Sequence, residues 1–200
     1  TVLAMTVSTN DDARRAAEDR AAVHGAAFLA ESQTGGRGRG GKAWHSPAGK
    51  SIYLSLVLRP ELSPERLPQL ALAAGVGIAE VVQPMVTEQV QIKWPNDVVV
   101  GGRKLVVILV EAVSRDQQTI VVVGVGLNVL NESFPDDLPA ATSLLLAGAD
   151  RSSLDRDEIA AELIVGLRQA ADELAREGLE ACLEVPRERD ALAGRDVVTA

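Results

Sequence analysis

The sequence predicts an α/β fold of the α+β type: a mixed, largely antiparallel sheet with helices on one side. Three observations lead there. Apolar, β-rich runs follow one another with only short turns between them, in "VQIKWPNDVVVGGRKLVVILVEAV" (Val90–Val113) and "TIVVVGVGLNVL" (Thr119–Leu130), and strands joined so closely pair antiparallel. Helical stretches do not alternate regularly with the strands, which argues against the βαβ repeat of a parallel sheet. The chain has 200 residues, 46% hydrophobic and 2% aromatic, enough for one sizeable aliphatic core or one domain and a small appendage.

Each element has a local reason. Val2–Val7 reads as a short strand. Ser8 or Asn10 can cap the helix that follows, with Asp11 and Asp12 in its first turn. Ala26–Glu31 is a strand bounded by Gly25, and 32–50 is a long glycine-rich loop. Ser51–Pro60 is a strand ended by its proline. Ser63-Pro64-Glu65 opens a helix that runs to about Gln83, apolar on nearly all sides and therefore buried; Gly75 and Gly77 permit close packing. Val90–Val113 reads as strand, break at Pro95, strand, tight turn at Gly101-Gly102, strand. Thr119–Leu130 is the next strand, across a polar turn at Ser114–Gln118. Glu132–Ser143 is loop. Asp155–Arg176 has helical spacing with Gly178 as its stop, and a shorter helix spans about Leu179–Leu192.

Composition limits the function. A net charge of −8 argues against bulk nucleic-acid binding, which needs a basic surface. One cysteine, Cys182, leaves no internal disulfide and no multi-cysteine zinc site, and fits a reducing cytoplasm. There is no signal-peptide pattern and no apolar run long enough to span a bilayer. His24 and His45 are too isolated for a metal site or a triad.

"TGGRGRGGKAW" (Thr34–Trp44) satisfies two phosphate-loop patterns by glycine count and fails both by context. A P-loop needs Ser or Thr after the Lys and then a helix; here Ala43 follows, and Ser46-Pro47 breaks any helix. A dinucleotide fingerprint needs the first turn of a βαβ unit. What remains is a mobile loop in which Arg37, Arg39 and Lys42 are interleaved with bare backbone, suited to phosphate or carboxylate. In "KWPND", Trp94 is expected to pack in the core, while Asn96 and Asp97 either cap a turn or serve a site. Lys104 reads either as an edge charge or as an electrostatic stabiliser of an anion. Glycines in "GVGLNV" (Gly124–Val129) imply close approach by a backbone or ligand, and Asn128 in that apolar run needs partners.

Together, "STND" (Ser8–Asp11), "ESQTGGRGRGGKAWHSPAGKSIYLSLVLRP" (Glu31–Pro60), "KWPNDVVVGGRKL" (Lys93–Leu105), "ILVE" (Ile108–Glu111) and "GVGLNV" resemble, in order and spacing, the catalytic domain of biotin–protein ligases. The resemblance implies a fold like class II aminoacyl-tRNA synthetases. It implies that biotin and MgATP form biotinyl-5′-AMP and pyrophosphate, and that the acyl group then passes to a lysine of a biotin carboxyl carrier domain, as in acetyl-CoA or pyruvate carboxylase. ATP with Mg²⁺ and biotin are then substrates, with no tightly bound cofactor and no metal ligand assigned. Ser8, Thr9, Asn10 and Gln33 would bind the biotin rings. Arg37, Gly38 and Arg39 would close over biotin and adenylate, Trp44 would lie near adenine, and Asn128 would face the nucleotide. Lys104 would contact the biotin carboxylate and α-phosphate, and Asp97 would orient or deprotonate the acceptor amine. The catalytic set is thus Lys104, Arg39 and Asp97; Trp94 and Pro95 look structural.

The sequence also departs from the family. Val107 stands where the family has Gly immediately before Ile108, so crowding of the ligand and weaker biotin binding are expected unless the strand shifts. The family loop is more basic where this one has Gly40 and Lys42. Residues 1–191 read as the catalytic domain and 192–200 as the start of a small SH3-like domain that is otherwise missing. No DNA-binding helix-turn-helix precedes Ser8, so neither DNA nor membrane is expected as a partner; exposed β edges are compatible with a homodimer. Three alternatives stay open: a biotin- or adenylate-binding module with impaired catalysis, a lipoate–protein ligase-like enzyme, and an unrelated mononucleotide-binding domain.

Overall fold

The computed structural model describes residues 1–19, 21–115, 118–182 and 189–194. Seven strands form one sheet in the order β1-β2-β3-β7-β6-β5-β4: β1 (Val2–Leu3), β2 (Ala27–Ala30), β3 (Ser51–Leu58), β4 (Val90–Lys93), β5 (Asp97–Val100), β6 (Arg103–Arg115) and β7 (Gln118–Asn128). Among the strand pairs of the described residues, only β1 with β2 is parallel and the others are antiparallel. The mixed, largely antiparallel sheet is therefore as the sequence predicted. Gly101 and Gly102, at φ 57° and 72°, make the β5–β6 turn, a conformation that side chains with a Cβ resist.

The helices are α1 (Thr9–Glu18), α2 (Gln69–Val82), α3 (Arg156–Glu177) and α4 (Leu179–Cys182). Ser8 occupies the N-cap of α1 in extended conformation, but its hydroxyl makes no capping bond. The first turn beyond Ser63 is a 3-10 turn over Pro64–Arg66, and α2 begins only after Pro68, because a second proline so close to the first interrupts the ladder. Asp155 caps α3 by accepting from the Asp157 and Glu158 amides, and Gly178, at φ 89°, ends it. Of the expected polar turn Ser114–Gln118, Ser114 and Arg115 belong to β6 and Gln118 to β7, while 116–117 lie outside the described residues, as do 183–188 and 195–200. The expected second helix does not reach Leu192: Asp190 bridges Ile92 and 191–194 form a turn.

The two sheet faces are different in kind. Residues such as Leu54, Leu56, Val106, Ile108, Val125 and Leu127 pack under α2 and α3 in the main aliphatic core. α2 and α3 touch closely at Gly77, where a Cβ would lie 2.9 Å from the Gly166 carbonyl oxygen. The opposite face receives α1, whose Ala13 and Ala17 pack on Val57, Val113, Ile120 and Val122. Helices on one side therefore holds for α2 and α3 only; α1 covers part of the other face. The rest of that face carries Ser55, Val107, Glu111, Gly124, Gly126 and Asn128.

One irregularity builds the site. Val98 opposes Val106 but Val99 opposes Lys104, so Leu105 is an extra residue, a β-bulge. Alternation would otherwise send Lys104 to the core face with Val106 and Ile108. The bulge turns Leu105 inward, fully buried, and leaves Lys104 on the α1 face beside Val107 and Asp97. Trp94 is not in the core: it lies in the β4–β5 turn at the edge of the sheet and is 41% exposed.

Candidate active site

Two cavities adjoin on the α1 face. The larger is an open cleft of about 680 Å³, within the size range of small-ligand sites. Gly38, Arg39, Trp44, Asp97, Lys104 and Asn128 all line it. The smaller inner pocket is lined by Ser8, Thr9, Asn10, Gln33 and Arg37 and holds about 20 Å³, room for about one water. Trp44 and Val107 line both. The residues expected to hold the biotin rings thus gather in the inner pocket, and those expected to meet nucleotide or the reacting groups gather in the cleft, with Gly38 among the latter. Arg37 is the exception: it was expected at the nucleotide as well but does not line the cleft.

In the cleft, Lys104 Nζ and Asp97 Oδ2 are 2.7 Å apart. A cation and a carboxylate are presented together on adjacent strands. Asn128 is buried; its Nδ2 donates to the Thr142 carbonyl at 2.9 Å, which ties the end of β7 to the loop forming the far wall. Phe134, Asp137 and residues 138–141 make that wall. It is fastened to the bulge: the Lys104 amide donates to the Ala140 carbonyl at 2.7 Å and the Thr142 amide to the Lys104 carbonyl at 2.9 Å. In the sequence Glu132–Ser143 reads as plain loop, because backbone pairing with a distant strand leaves no side-chain signature. His45, which the sequence assigned to nothing, also lines the cleft.

The glycine-rich stretch folds back on itself rather than opening a helix. Gly38 N donates to Lys42 O at 2.8 Å and Trp44 N to Gly36 O at 2.9 Å. Gly40 and Gly41 turn it at φ 69° and 74°. Arg37 grips α1 from this loop, with both guanidinium ends on Asp11 at 2.9 and 2.6 Å. That hydrogen-bonded ion pair holds the Asp11 carboxyl below its ordinary value, opposed by burial and aided by the charges of Arg37, Arg14 and Arg15. The same contact with Asp11 raises Arg37, against desolvation, with the charges of Asp11 and Glu111 adding to it.

Inside, polar groups satisfy one another. Gln33 Oε1 accepts from the Thr9 amide at 2.9 Å, and its Nε2 donates to Ser46 Oγ at 3.2 Å. Gln33 therefore links the start of α1 to the loop beyond Trp44. Ser55 Oγ lies 2.8 Å from Thr9 Oγ1 and 2.6 Å from Asn10 Oδ1. Tyr53 donates to the Pro47 carbonyl at 2.9 Å, and burial pushes its hydroxyl up to about 12. Ser51, Tyr53 and Ser55 alternate along β3, the one sequence signal that could have placed them on a polar face.

The strand glycines are occupied by side chains of this chain. A Cβ on Gly124 would strike the Asn10 amide, and one on Gly126 would strike the Trp44 indole. Trp44 Nε1 is buried there without a partner among the described residues, which costs about 1–3 kcal/mol. Val107 Cγ2 lies 3.3 Å from where a Gly38 Cβ would stand, so Val107 partitions cleft from pocket.

Among the described residues, no cluster of three or more His, Cys, Asp or Glu side chains could hold a metal ion, and no helix is long and apolar enough to cross a membrane.

Comparison with known proteins agrees with this layout. Residues 4–128 match the Biotin/lipoate A/B protein ligase family. The chain is 39% identical over 148 residues to the bifunctional ligase/repressor BirA of Bacillus spizizenii, covering 72% of this chain and 45% of that protein. It is 40% identical over 167 residues to the biotin–[acetyl-CoA-carboxylase] ligase of Mycobacterium tuberculosis, covering 82% of this chain and 60% of that one. The chain thus spans about half the length of the curated relatives it matches. Among solved structures, biotin protein ligase from Aquifex aeolicus in complex with biotin and ATP superposes with a TM-score of 0.80 at 27% identity, over 96% of this chain and 78% of that one. The Leishmania major enzyme in complex with biotinyl-5-AMP gives 0.75 at 25% identity, over 99% and 83%. With more than half of its length matched by the family and the same mixed sheet carrying its cleft, the chain belongs to the Biotin/lipoate A/B protein ligase family.

Proposed function

We propose that this chain carries the catalytic domain of a biotin–protein ligase, activating biotin as biotinyl-5′-AMP and transferring it to a lysine of a carboxyl carrier domain. The observation that carries the reading is the pairing of a polar inner pocket with a cationic cleft, joined at Trp44 and Val107. The relatives named for biotin and ATP, and the structure named for biotinyl-5-AMP, support it. The single cysteine and the use of ATP support a cytoplasmic location.

In the first step a biotin carboxylate oxygen attacks the α-phosphorus of MgATP, and pyrophosphate leaves with the electron pair of the broken P–O bond. Two anions must meet, so local positive charge lowers the barrier. Lys104 stands in the cleft wall for that purpose, and Arg39 lines the same cleft on the loop. Trp44 offers its indole to the nucleotide or to the chain of the acid. In the second step the acceptor amine attacks the acyl carbon and AMP leaves. The amine must shed a proton to do so, and Asp97, beside Lys104, is placed to accept it. A mixed anhydride hydrolyses readily, so the loop 34–45 serves as a cover that excludes water. Arg37, fixed on Asp11, is its anchor.

The test is ATP–pyrophosphate exchange by the full-length protein. Exchange that depends on biotin and not on lipoate is expected; no exchange with either acid would sink the enzyme reading. One observation favours the second reading, a binding module with impaired catalysis: Val107 fills the passage that the acid must cross. Val107→Gly should then tighten biotin in calorimetry, and unchanged affinity removes that concern.

A further inference from the structure

Between Leu105 and Val113, β6 carries a single charged residue, Glu111, on the face of the site. Its Oε2 accepts from Asn10 Nδ2 at 2.7 Å. A carboxylate costs more to bury than a neutral acceptor, and the amide oxygen of a glutamine would have satisfied the Asn10 amide equally well. What an ionised carboxylate adds is that it can only accept.

That one-sidedness propagates. Asn10 Nδ2 faces two groups that only accept, Glu111 and the Leu109 carbonyl, the latter at 3.4 Å, so the amide cannot flip. Its Oδ1 must then face Ser55, and the single Ser55 hydroxyl proton is spent on it at 2.6 Å. The 2.8 Å contact between Ser55 Oγ and Thr9 Oγ1 therefore runs from Thr9 to Ser55, since two hydroxyl oxygens at that distance need a proton between them. Thr9 Oγ1 also lies within donating reach of Gln33 Oε1, at 3.2 Å, but that oxygen has the Thr9 amide at 2.9 Å and the single hydroxyl proton goes to the shorter contact with Ser55. With its proton turned towards β3, Thr9 keeps only lone pairs for the inner pocket. Gly124 makes the chain possible, because a Cβ there would displace the Asn10 amide.

We propose that Glu111 is a specificity-determining positioning residue: it sets the direction of the chain Thr9→Ser55→Asn10→Glu111, so that Thr9 presents acceptor lone pairs to an inner pocket whose other walls carry the donors of Arg37 and Trp44, and the pocket selects an acid whose head group carries N–H donors. This rests on the proposed function and deepens it. A cyclic urea has two such donors. A dithiolane has none, and would leave the acceptors unpaired, which is the condition under which polar sites discriminate strongly. The family includes ligases of both acids, and on this argument the choice between them is made by a residue that need not touch either.

Glu111→Gln tests it, because a glutamine can donate as well as accept and frees the chain to reverse. The KM for biotin in pyrophosphate exchange should rise about tenfold or more, with kcat within about threefold and the KM for ATP unchanged. Selectivity for biotin over lipoate in kcat/KM should fall by a similar factor. Equal changes in both KM values, or unchanged selectivity, overturn the proposal. In a Ser55→Ala background the chain is already cut, so Glu111→Gln should add less than about twofold; full additivity overturns the proposal. The clamp is also read without any ligand, from exchange of the Asn10 side-chain amide protons by NMR. Exchange at least about tenfold faster in Glu111→Ala is expected, and equal exchange overturns the proposal whether or not the chain binds biotin. Absence of biotin-dependent exchange in the unmodified protein would fall on the proposed function instead.

Discussion

The two faces of the sheet are built from the same strands and obey different rules. Under α2 and α3, alternate residues of β3, β6 and β7 are Leu, Ile and Val, fully or nearly fully buried, and any side chain of the right volume would serve. On the other face, beyond the valines that meet α1, the intervening positions include Ser51, Ser55, Glu111, Gly124, Gly126 and Asn128, each fixed by a particular partner. One face supplies stability and tolerates exchange of like for like. The other gives up apolar burial for a set of directed groups. The contrast teaches that a strand can read as a plain hydrophobic run while half of its residues belong to a site.

The largest effect separates the faces most cleanly. Leu127 is fully buried under the helices, and Leu127→Ala should cost about 2–5 kcal/mol in denaturant unfolding. Biotin-dependent exchange by the molecules still folded should be unaltered. A loss of activity larger than the loss of folded protein would show that the two faces are coupled. Lys104→Gln is the converse. It should lower the exchange rate about 10²–10³-fold while stability moves by less than about 0.5 kcal/mol; a rate within about threefold of the unmodified protein removes Lys104 from the chemistry.

Gly124→Ala comes next, because it adds a core-like atom to the wrong face. The new Cβ would stand 2.8 Å from Asn10 Cγ and 2.9 Å from its Nδ2, so either the amide or the strand must give way. About 1–3 kcal/mol of stability should be lost, together with biotin affinity. A methyl group tolerated with both intact would mean that Asn10 has room to spare and that the polar face is looser than its distances say.

The difference between faces also explains what could be read in advance. The antiparallel pairing of adjacent strands, the turn at Gly101-Gly102 and the stop of α3 at Gly178 are local signals, and they are present as read. The glycines of β7 signalled close approach, and the approaching groups are Asn10 and Trp44. Three features had no local signal. The bulge at Leu105 is a property of pairing with β5, so the sequence alone leaves open which face Lys104 takes. The cleft wall at 134–141 is held by backbone bonds to Lys104. Trp94 reads as a core residue, and its exposure follows from standing in the β4–β5 turn at the edge of the sheet.

The smallest expected effect concerns the hinge between the faces, where α1 meets the glycine-rich loop. Asp11 is held below its ordinary 3.8 chiefly by its hydrogen bond to Arg37, with the charges of Arg37, Arg14 and Arg15 in support and burial opposing. A depressed carboxyl gives stability that is fully present above the unfolded value and is lost as pH falls through the folded one. The anchor should thus hold at neutral pH and begin to release only below about 3.8. The pair is partly exposed, at 37% for Arg37 and 21% for Asp11, so its contribution is under about 1 kcal/mol and shrinks with salt. The place to look is the loop itself. Indole emission of a Trp94→Phe variant reports Trp44 alone, and it should change with an acid transition that Asp11→Asn abolishes. The core face contributes no comparable titration to that signal, since the residues packed under α2 and α3 are aliphatic. An acid transition that persists unchanged in Asp11→Asn would mean that something other than the Arg37 grip holds Trp44 over Gly126.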